Sequence, residues 1–225
     1  MDKNPDHKTN ESEFEMVKQS IQRIPRWSYL LAILLIGILF SILSENVTIG
    51  PSWMVPLIAF ILLIPLGLAV IRRHHKWTRI IAFSITGLVT LGLVSSVIFL
   101  VLNLFSHMVS ASILFRNAFI LWAANVLVFS MWYWEIDQGG PAARHVNKLE
   151  PVDFLFPQLI SDAKLWGDWK PGYLDYLFLA YNTSTAFSPT DTMVMSRRAK
   201  LLMMTQGSIS LVIVAVLAAR AINIA

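Results

Sequence analysis

The chain has 225 residues, of which 56% are hydrophobic and only 14% are charged, and its mean hydropathy is +0.60. Soluble domains average about 25% charged residues and about 45–50% apolar ones, so this composition excludes an ordinary soluble enzyme or a disordered chain. The absence of cysteine excludes thiol nucleophiles, disulfide scaffolds and thiolate metal sites. The sequence therefore predicts a membrane protein.

The first 26 residues are polar, and their five basic residues are balanced by five acidic ones. Ser12 and Glu15 have the spacing of a capping box, and apolar residues recur at helical spacing from Phe14 to Ile24. We expect segment 1–26 to be a cytoplasmic tail. Its helix is either amphipathic and bound to the membrane surface or simply solvated.

Five apolar stretches follow, each close to the ~20 residues that cross ~30 Å of hydrocarbon. None carries a charge in its central part, where a charged side chain costs about 2.5 kcal/mol or more. The predicted fold class is an all-α membrane protein with about five transmembrane helices. The stretches are residues 27–44, 53–71, 79–102, 117–136 and 200–220.

A sixth apolar segment, residues 173–187, is shorter. At 1.5 Å per residue it makes only ~22 Å of helix, so we expect a re-entrant or interfacial helix before the last span. The chain then divides into four transmembrane helices (27–136), an ordered loop that contains the re-entrant segment (137–198), and the last span with the C-terminus (199–225).

The basic residues predict the orientation, because lysine and arginine are enriched in cytoplasmic loops. Five crossings with a cytoplasmic N-terminus place sixteen basic residues inside and two outside. Six crossings give fourteen and four. We therefore expect five crossings and a cytoplasmic N-terminus, with six as the alternative.

No standard catalytic motif is present. The chain lacks HExxH, GxSxG, the P-loop and GxGxxG, and no pair of aspartates lies inside a span. We predict that the protein is not an enzyme, and we expect no cofactor, no metal ion and no nucleic-acid partner.

The polar residues with the most interpretable pattern lie between 131 and 200. Glu135 and Asp137 follow a cluster of aromatic residues and precede Gly139-Gly140-Pro141, which predicts a helix end. The two acids are either the exposed end of the fourth span or a mouth that attracts cations. The loop 137–172 is rich in proline and aromatic residues, which favours an ordered surface against the bilayer.

The segment 183–192 contains six hydroxyl residues and one acid, directly after the short apolar helix. Polar non-helical backbone at membrane depth occurs only where it is buried in protein or lines water. Alternatively, Ser188-Pro189 starts a helix that runs into the last span. The candidate pore or ion-lining residues are Asp175, Thr183, Thr185, Ser188 and Asp191, and the candidate contacts for lipid headgroups or anions are Arg197 and Arg198.

Five segments carry a resemblance to known proteins: VLVFSMWYWEIDQGGPAAR, DFLFPQ, AFSPTDT, SRRAKLLM and AARAIN. Over roughly residues 117–225 they resemble a family of small bacterial multi-pass inner-membrane proteins of unassigned function. The resemblance implies residence in a bacterial inner membrane.

A weaker resemblance links DYLFLAYNTSTAFSPTD and the following span to the pore module of two-helix potassium channels. It implies that Thr185 matches the first threonine of the filter and Asp191 the acid after it. The filter's glycines are missing between these two residues, and the charge count places the segment on the cytoplasmic side.

The sequence thus predicts a channel-like or transport-related protein acting through segment 173–192. The alternative is a non-transporting scaffold that docks a partner through loop 137–172. The expected partners are the lipid bilayer, a monovalent ion or small solute, and further copies of the chain, because five spans alone enclose no pore.

Overall fold

The computed structural model describes residues 27–48, 50–51, 53–72, 75–106, 109–146, 151–167, 169–185 and 191–222. The N-terminal tail with its expected helix, and the candidate residue Ser188, lie outside the described residues.

The described chain is mostly helical. Numbered along the chain, its helices are α1 (Trp27–Ile42), α2 (Met54–Ile71), α3 (His75–Ser106), α4 (Ala111–Ile136), α5 (Pro141–Val146), α6 (Pro157–Ile160), α7 (Ala163–Trp166), α8 (Tyr173–Thr185) and α9 (Arg197–Ile222). The described residues also form two short strands, β1 (Phe154–Leu155) and β2 (Met193–Val194).

Three helices are long and apolar enough to cross a membrane. Their apolar stretches are Trp77–Phe105 in α3, Ala111–Gly139 from α4 onward, and Arg197–Ala219 in α9. The remaining two predicted stretches form the shorter helices α1 and α2. The chain is therefore a mostly α-helical membrane protein, as the sequence predicts.

Helix α4 lies at the centre of the structure and contacts α1, α3, α8 and α9. Its first half buries a stripe at helical spacing, which includes Leu114, Ala118 and Leu121. From Ala124 to Ile136 nearly every residue is buried, because neighbouring elements surround this half. By contrast, the large apolar side chains of Leu91, Phe105 and Leu211 are exposed, as expected where a helix faces lipid.

Helices α1 and α2 pack closely at Gly37. A Cβ atom at this glycine would lie 3.3 Å from the ring of Phe60 in α2. The end of α1 is joined to the start of α4, because the Ser44 hydroxyl donates to Oδ1 of Asn117 at 3.2 Å. These contacts attach the N-terminal pair of helices to the central helix.

The chain before α9 differs from the prediction. β2 pairs antiparallel with β1, with Phe154 opposite Val194 and Leu155 opposite Met193. The prediction of one helix running from Pro189 into the last span is therefore wrong. The helix begins at Arg197, where the Ser196 hydroxyl accepts the Ala199 N–H at 3.1 Å and caps it.

Candidate functional site

Polar side chains around α4, most of them buried, form two clusters, one where the helix ends and one near its middle. The end cluster consists of Glu135, Asp137, Arg144, Asp153, Tyr176 and Arg198. The central cluster consists of Asn125, Tyr133, Ser184, Gln206 and Ser210.

A tight turn after α4 builds the end cluster. Gln138, Gly139 and Gly140 have φ values of 50°, 75° and 95°. The last position requires glycine for a second reason, since a Cβ there would lie 3.2 Å from the Glu135 carbonyl oxygen. The helix end predicted at Gly139-Gly140-Pro141 is confirmed, and the turn brings Arg144 back beneath α4.

Asp137 connects three parts of the chain. Its Oδ2 accepts the Tyr176 hydroxyl of α8 at 2.5 Å, and its Oδ1 accepts the backbone N–H groups of Asp153 at 2.8 Å and Phe154 at 3.3 Å. Only 1% of this residue is exposed. The carboxylate thus ties α8 and β1 to the end of α4.

Arg144 is the buried cation of the end cluster. It contacts the Tyr176 hydroxyl, donates to the Trp134 carbonyl at 2.9 Å, and its Nη1 lies 3.8 Å from Oδ2 of Asp137. Its guanidinium carbon lies 4.6 Å and 4.8 Å from the ring centroids of Trp134 and Tyr176. Burial lowers the pKa of Arg144 to about 10, against the opposing effect of Asp137 and Glu135, so the group stays charged near neutral pH.

The expectation that Glu135 and Asp137 form an exposed helix end is wrong, because both residues are buried. The segment around Asp153 folds back over the end of α4 and supplies the donors described above. The same segment holds α9, since Arg198 donates to both carboxylate oxygens of Asp153 at 2.6 and 2.5 Å. Its neighbour Arg197 is exposed.

Helix α8 runs antiparallel along α4 toward the central cluster. The Tyr173 hydroxyl lies 2.7 Å from that of Ser130, and further along the Ser184 hydroxyl accepts from Asn125 at 3.4 Å. Asn125 is the middle residue of the 29-residue apolar stretch Ala111–Gly139. The short helix therefore ends beside the middle of a membrane-spanning helix.

Gln206 of α9 holds this end of α8 in place. Its Nε2 donates to the Ala180 carbonyl and to the Ser184 hydroxyl, each at 2.7 Å, and its Oε1 accepts the Tyr133 hydroxyl at 2.5 Å. Ser210 adds a bond of 2.6 Å to the Ser184 carbonyl. The last turn of α8 is thereby clamped between α4 and α9.

Two of the predicted lining residues, Thr183 and Thr185, lie in this last turn. Both are half-buried, and their hydroxyls donate within α8 itself, to the carbonyls of Leu179 at 2.8 Å and Asn182 at 3.2 Å. Ser184 between them accepts from Gln206 in the central cluster, and Thr183 also forms a side-chain hydrogen bond with Tyr133 of that cluster.

The remaining predicted residues lie elsewhere. Asp175 is at the opposite end of α8, where its Oδ2 accepts the Gly172 N–H at 2.7 Å, and Asp191 is exposed before β2. Arg198 is half-exposed but engaged with Asp153. The structure therefore does not gather all these residues at one point.

The central cluster was not predicted from the sequence. The apolar stretches carry no central charge, and the signal in them is instead the two amides, Asn125 and Gln206. Amide side chains inside membrane spans form hydrogen bonds across helices, so their positions could have indicated the contact.

The sequence matches no protein-family model, and no curated protein or solved structure is significantly similar to it. The two resemblances of the sequence therefore stay hypotheses. In the part of the chain that the structure describes, no group of three or more histidine, aspartate or glutamate side chains could hold a metal ion.

Proposed function

We propose that the protein is a channel-like or transport-related protein of a bacterial inner membrane, in which α8 is a re-entrant helix beside a path for a monovalent cation or small solute. The observation that carries the proposal is the end of α8 next to Asn125, at the middle of a spanning stretch. Helix α8 has 13 residues and is ~20 Å long, half the length of the 26-residue helix α4.

The electrostatics of a half-helix favour a cation at this end. The C-terminus of a helix carries a partial negative charge from its unpaired carbonyl groups, and transporters use such ends near the bilayer midplane to hold Na⁺ or H⁺. Among the described residues, Oδ1 of the fully buried Asn125 accepts no hydrogen bond. A buried amide oxygen next to the end of α8 is the kind of ligand that a desolvated cation or a water molecule requires.

The proposed topology has five crossings and a cytoplasmic N-terminus. Helices α1 and α2, of 16 and 18 residues, supply ~24 Å and ~27 Å of helix as the first two crossings, which a locally thinned bilayer accommodates. The bias of sixteen basic residues to two supports the orientation. The end cluster then lies on the cytoplasmic side.

The proposal includes assembly of several copies. One set of five spans encloses no channel, whereas subunits arranged around the re-entrant helices would. Leu174 and Phe178 of α8 are exposed on the side opposite to Leu179 and Ala180, so this side is free to meet lipid or another copy.

A second candidate function is a non-transporting scaffold that docks a partner through loop 137–172. The observation in its favour is a group of exposed apolar side chains on that loop: Leu159, Ile160, Leu165 and Trp166. A scaffold would bind a protein partner and would carry no flux.

Ion flux into liposomes separates the two functions. We expect the purified protein to carry potassium or sodium flux above that of empty liposomes, and we expect Thr185→Val and Asp191→Ala to reduce it severalfold. Thr205→Val is the matched control, because it makes the same change at an exposed residue of α9, outside segment 173–192. Absence of flux with the unmodified protein, or equal flux in all variants, would contradict the proposal.

A further inference from the structure

The loop between β1 and α8 carries four large apolar side chains that the fold does not use. Leu159 and Ile160 lie on α6, and Leu165 and Trp166 lie on α7; we call these four residues the α6–α7 patch. Leu165 is 78% exposed and Ile160 61%. If the patch faced water, each Å² of its apolar surface would lack the roughly 25 cal/mol of stabilisation that burial provides.

The position of the patch is fixed by other residues. The ring of Phe156, just before α6, packs against Trp169 at 5.7 Å and against Tyr176 of α8 at 5.4 Å between centroids. Between the two short helices, Ser161 donates to the Pro157 carbonyl at 2.7 Å and Asp162 accepts the Lys164 N–H at 2.9 Å. The backbone is thus ordered while the apolar side chains stay uncovered.

The patch lies near the level at which the spanning helices begin and end. Phe156 connects it to Tyr176, and Tyr176 contacts Asp137 directly after α4. Asp137 lies near the end of the spanning stretch Ala111–Gly139. An apolar surface at the end of a spanning stretch lies where the headgroup and acyl regions of a bilayer meet.

Charged residues flank the patch on the same loop. Lys164 and Lys170 are exposed there, as is Asp162. Basic residues at a membrane surface contribute about 1 kcal/mol each with anionic lipids, and tryptophan favours the interface.

We propose that the α6–α7 patch is a membrane-binding surface, whose four apolar side chains insert into the bilayer interface while Lys164 and Lys170 contact anionic headgroups. The occupant of this face is then lipid and not a protein partner. This inference requires that the chain spans a membrane, and it does not depend on the proposed channel function.

Because the chain has no cysteine, single cysteines can report the environment of individual positions. A spin label is attached to Leu165→Cys in protein reconstituted into phosphatidylcholine vesicles, with and without phosphatidylglycerol. Its collision rates with oxygen, which concentrates in the bilayer, and with a water-soluble nickel chelate measure its depth. Lys164→Cys, on the adjacent side of α7, is the matched control, and Leu211→Cys on the exposed side of α9 is the lipid reference.

We expect the oxygen-to-nickel ratio of the Leu165 label to be severalfold above that of the Lys164 label and to approach that of the Leu211 label. We also expect phosphatidylglycerol to raise the ratio of the Leu165 label. A ratio at 165 that equals the ratio at 164 and lies far below that of the Leu211 label would place the patch in water and overturn the proposal. Low collision rates with both reagents at 165 would indicate a protein contact and would overturn it as well.

Discussion

Both polar clusters around α4 provide partners for polar side chains that are buried beside the helix, but they do so with different chemical groups. The end cluster uses ionisable groups, with Asp137 and Arg144 both buried. The central cluster uses amides and hydroxyls, of which Gln206 makes the most bonds. The difference follows from depth, because a charge costs most at the bilayer centre, whereas neutral amides and hydroxyls pair across helices there.

At the end of α4, the loop itself supplies what a buried charge needs. Asp137 accepts two backbone N–H groups and a tyrosine hydroxyl, and the Arg144 guanidinium contacts two aromatic rings. At the centre of the span, no loop of the described chain supplies backbone donors or acceptors. The amide nitrogen of Gln206 therefore donates to α8, and its amide oxygen accepts from Tyr133 of α4. We therefore expect the two clusters to differ in how much stability they provide.

The largest expected effect is that of Asp137→Ala. Removing one partner of a buried ion pair leaves the other charge uncompensated, which typically costs about 3–5 kcal/mol. In this protein it also leaves the Tyr176 hydroxyl and two backbone N–H groups without an acceptor. The free energy of unfolding is measured by titrating the protein in mixed micelles with a denaturing detergent.

Asp191→Ala is the control for this prediction, because Asp191 is an exposed aspartate of the same loop region. We expect it to change the free energy of unfolding by less than about 0.5 kcal/mol, as is usual for surface positions. If both variants lost the same stability, the end cluster would not hold the loop on α4.

A smaller effect is expected for Gln206→Leu. The leucine fills the space but leaves the Tyr133 hydroxyl without its acceptor, and interhelical hydrogen bonds in membranes contribute about 0.6–2 kcal/mol. We expect a loss of that size, measured by the same detergent titration. Thr205→Val, at the adjacent position, is the control. Because Thr205 is exposed, we expect its substitution to leave the free energy of unfolding unchanged. A loss from Gln206→Leu as large as that from Asp137→Ala would remove the distinction between the clusters.

Local patterns were sufficient to predict much of the helical framework. Hydrophobic stretches located the long helices, and the length of 173–187 indicated that α8 is a separate short helix, which ends at Thr185. The turn at Gly139-Gly140-Pro141 was also predictable, because positive φ values and the close approach to Glu135 require glycine.

Contacts between distant residues were not predictable in this way. The burial of Asp137 depends on Asp153, 16 residues away, and on Tyr176, 39 residues away. The chain directly before α9 likewise depends on a distant segment, because β2 pairs with β1. Each of these outcomes is decided by tertiary hydrogen bonds that no local periodicity encodes.

Helix α8 runs antiparallel along α4 and ends beside its middle, and thiol cross-linking in native membranes tests this placement most directly. The rings of Tyr181 and Trp122 lie 5.9 Å apart between centroids. We expect Trp122→Cys with Tyr181→Cys to be bridged efficiently by dibromobimane, which joins thiols that lie close together and becomes fluorescent when both ends react. Phe115→Cys with Tyr181→Cys, ~10 Å further along α4, should not be bridged. Bridging of the 115–181 pair, or failure of the 122–181 pair, would contradict the account.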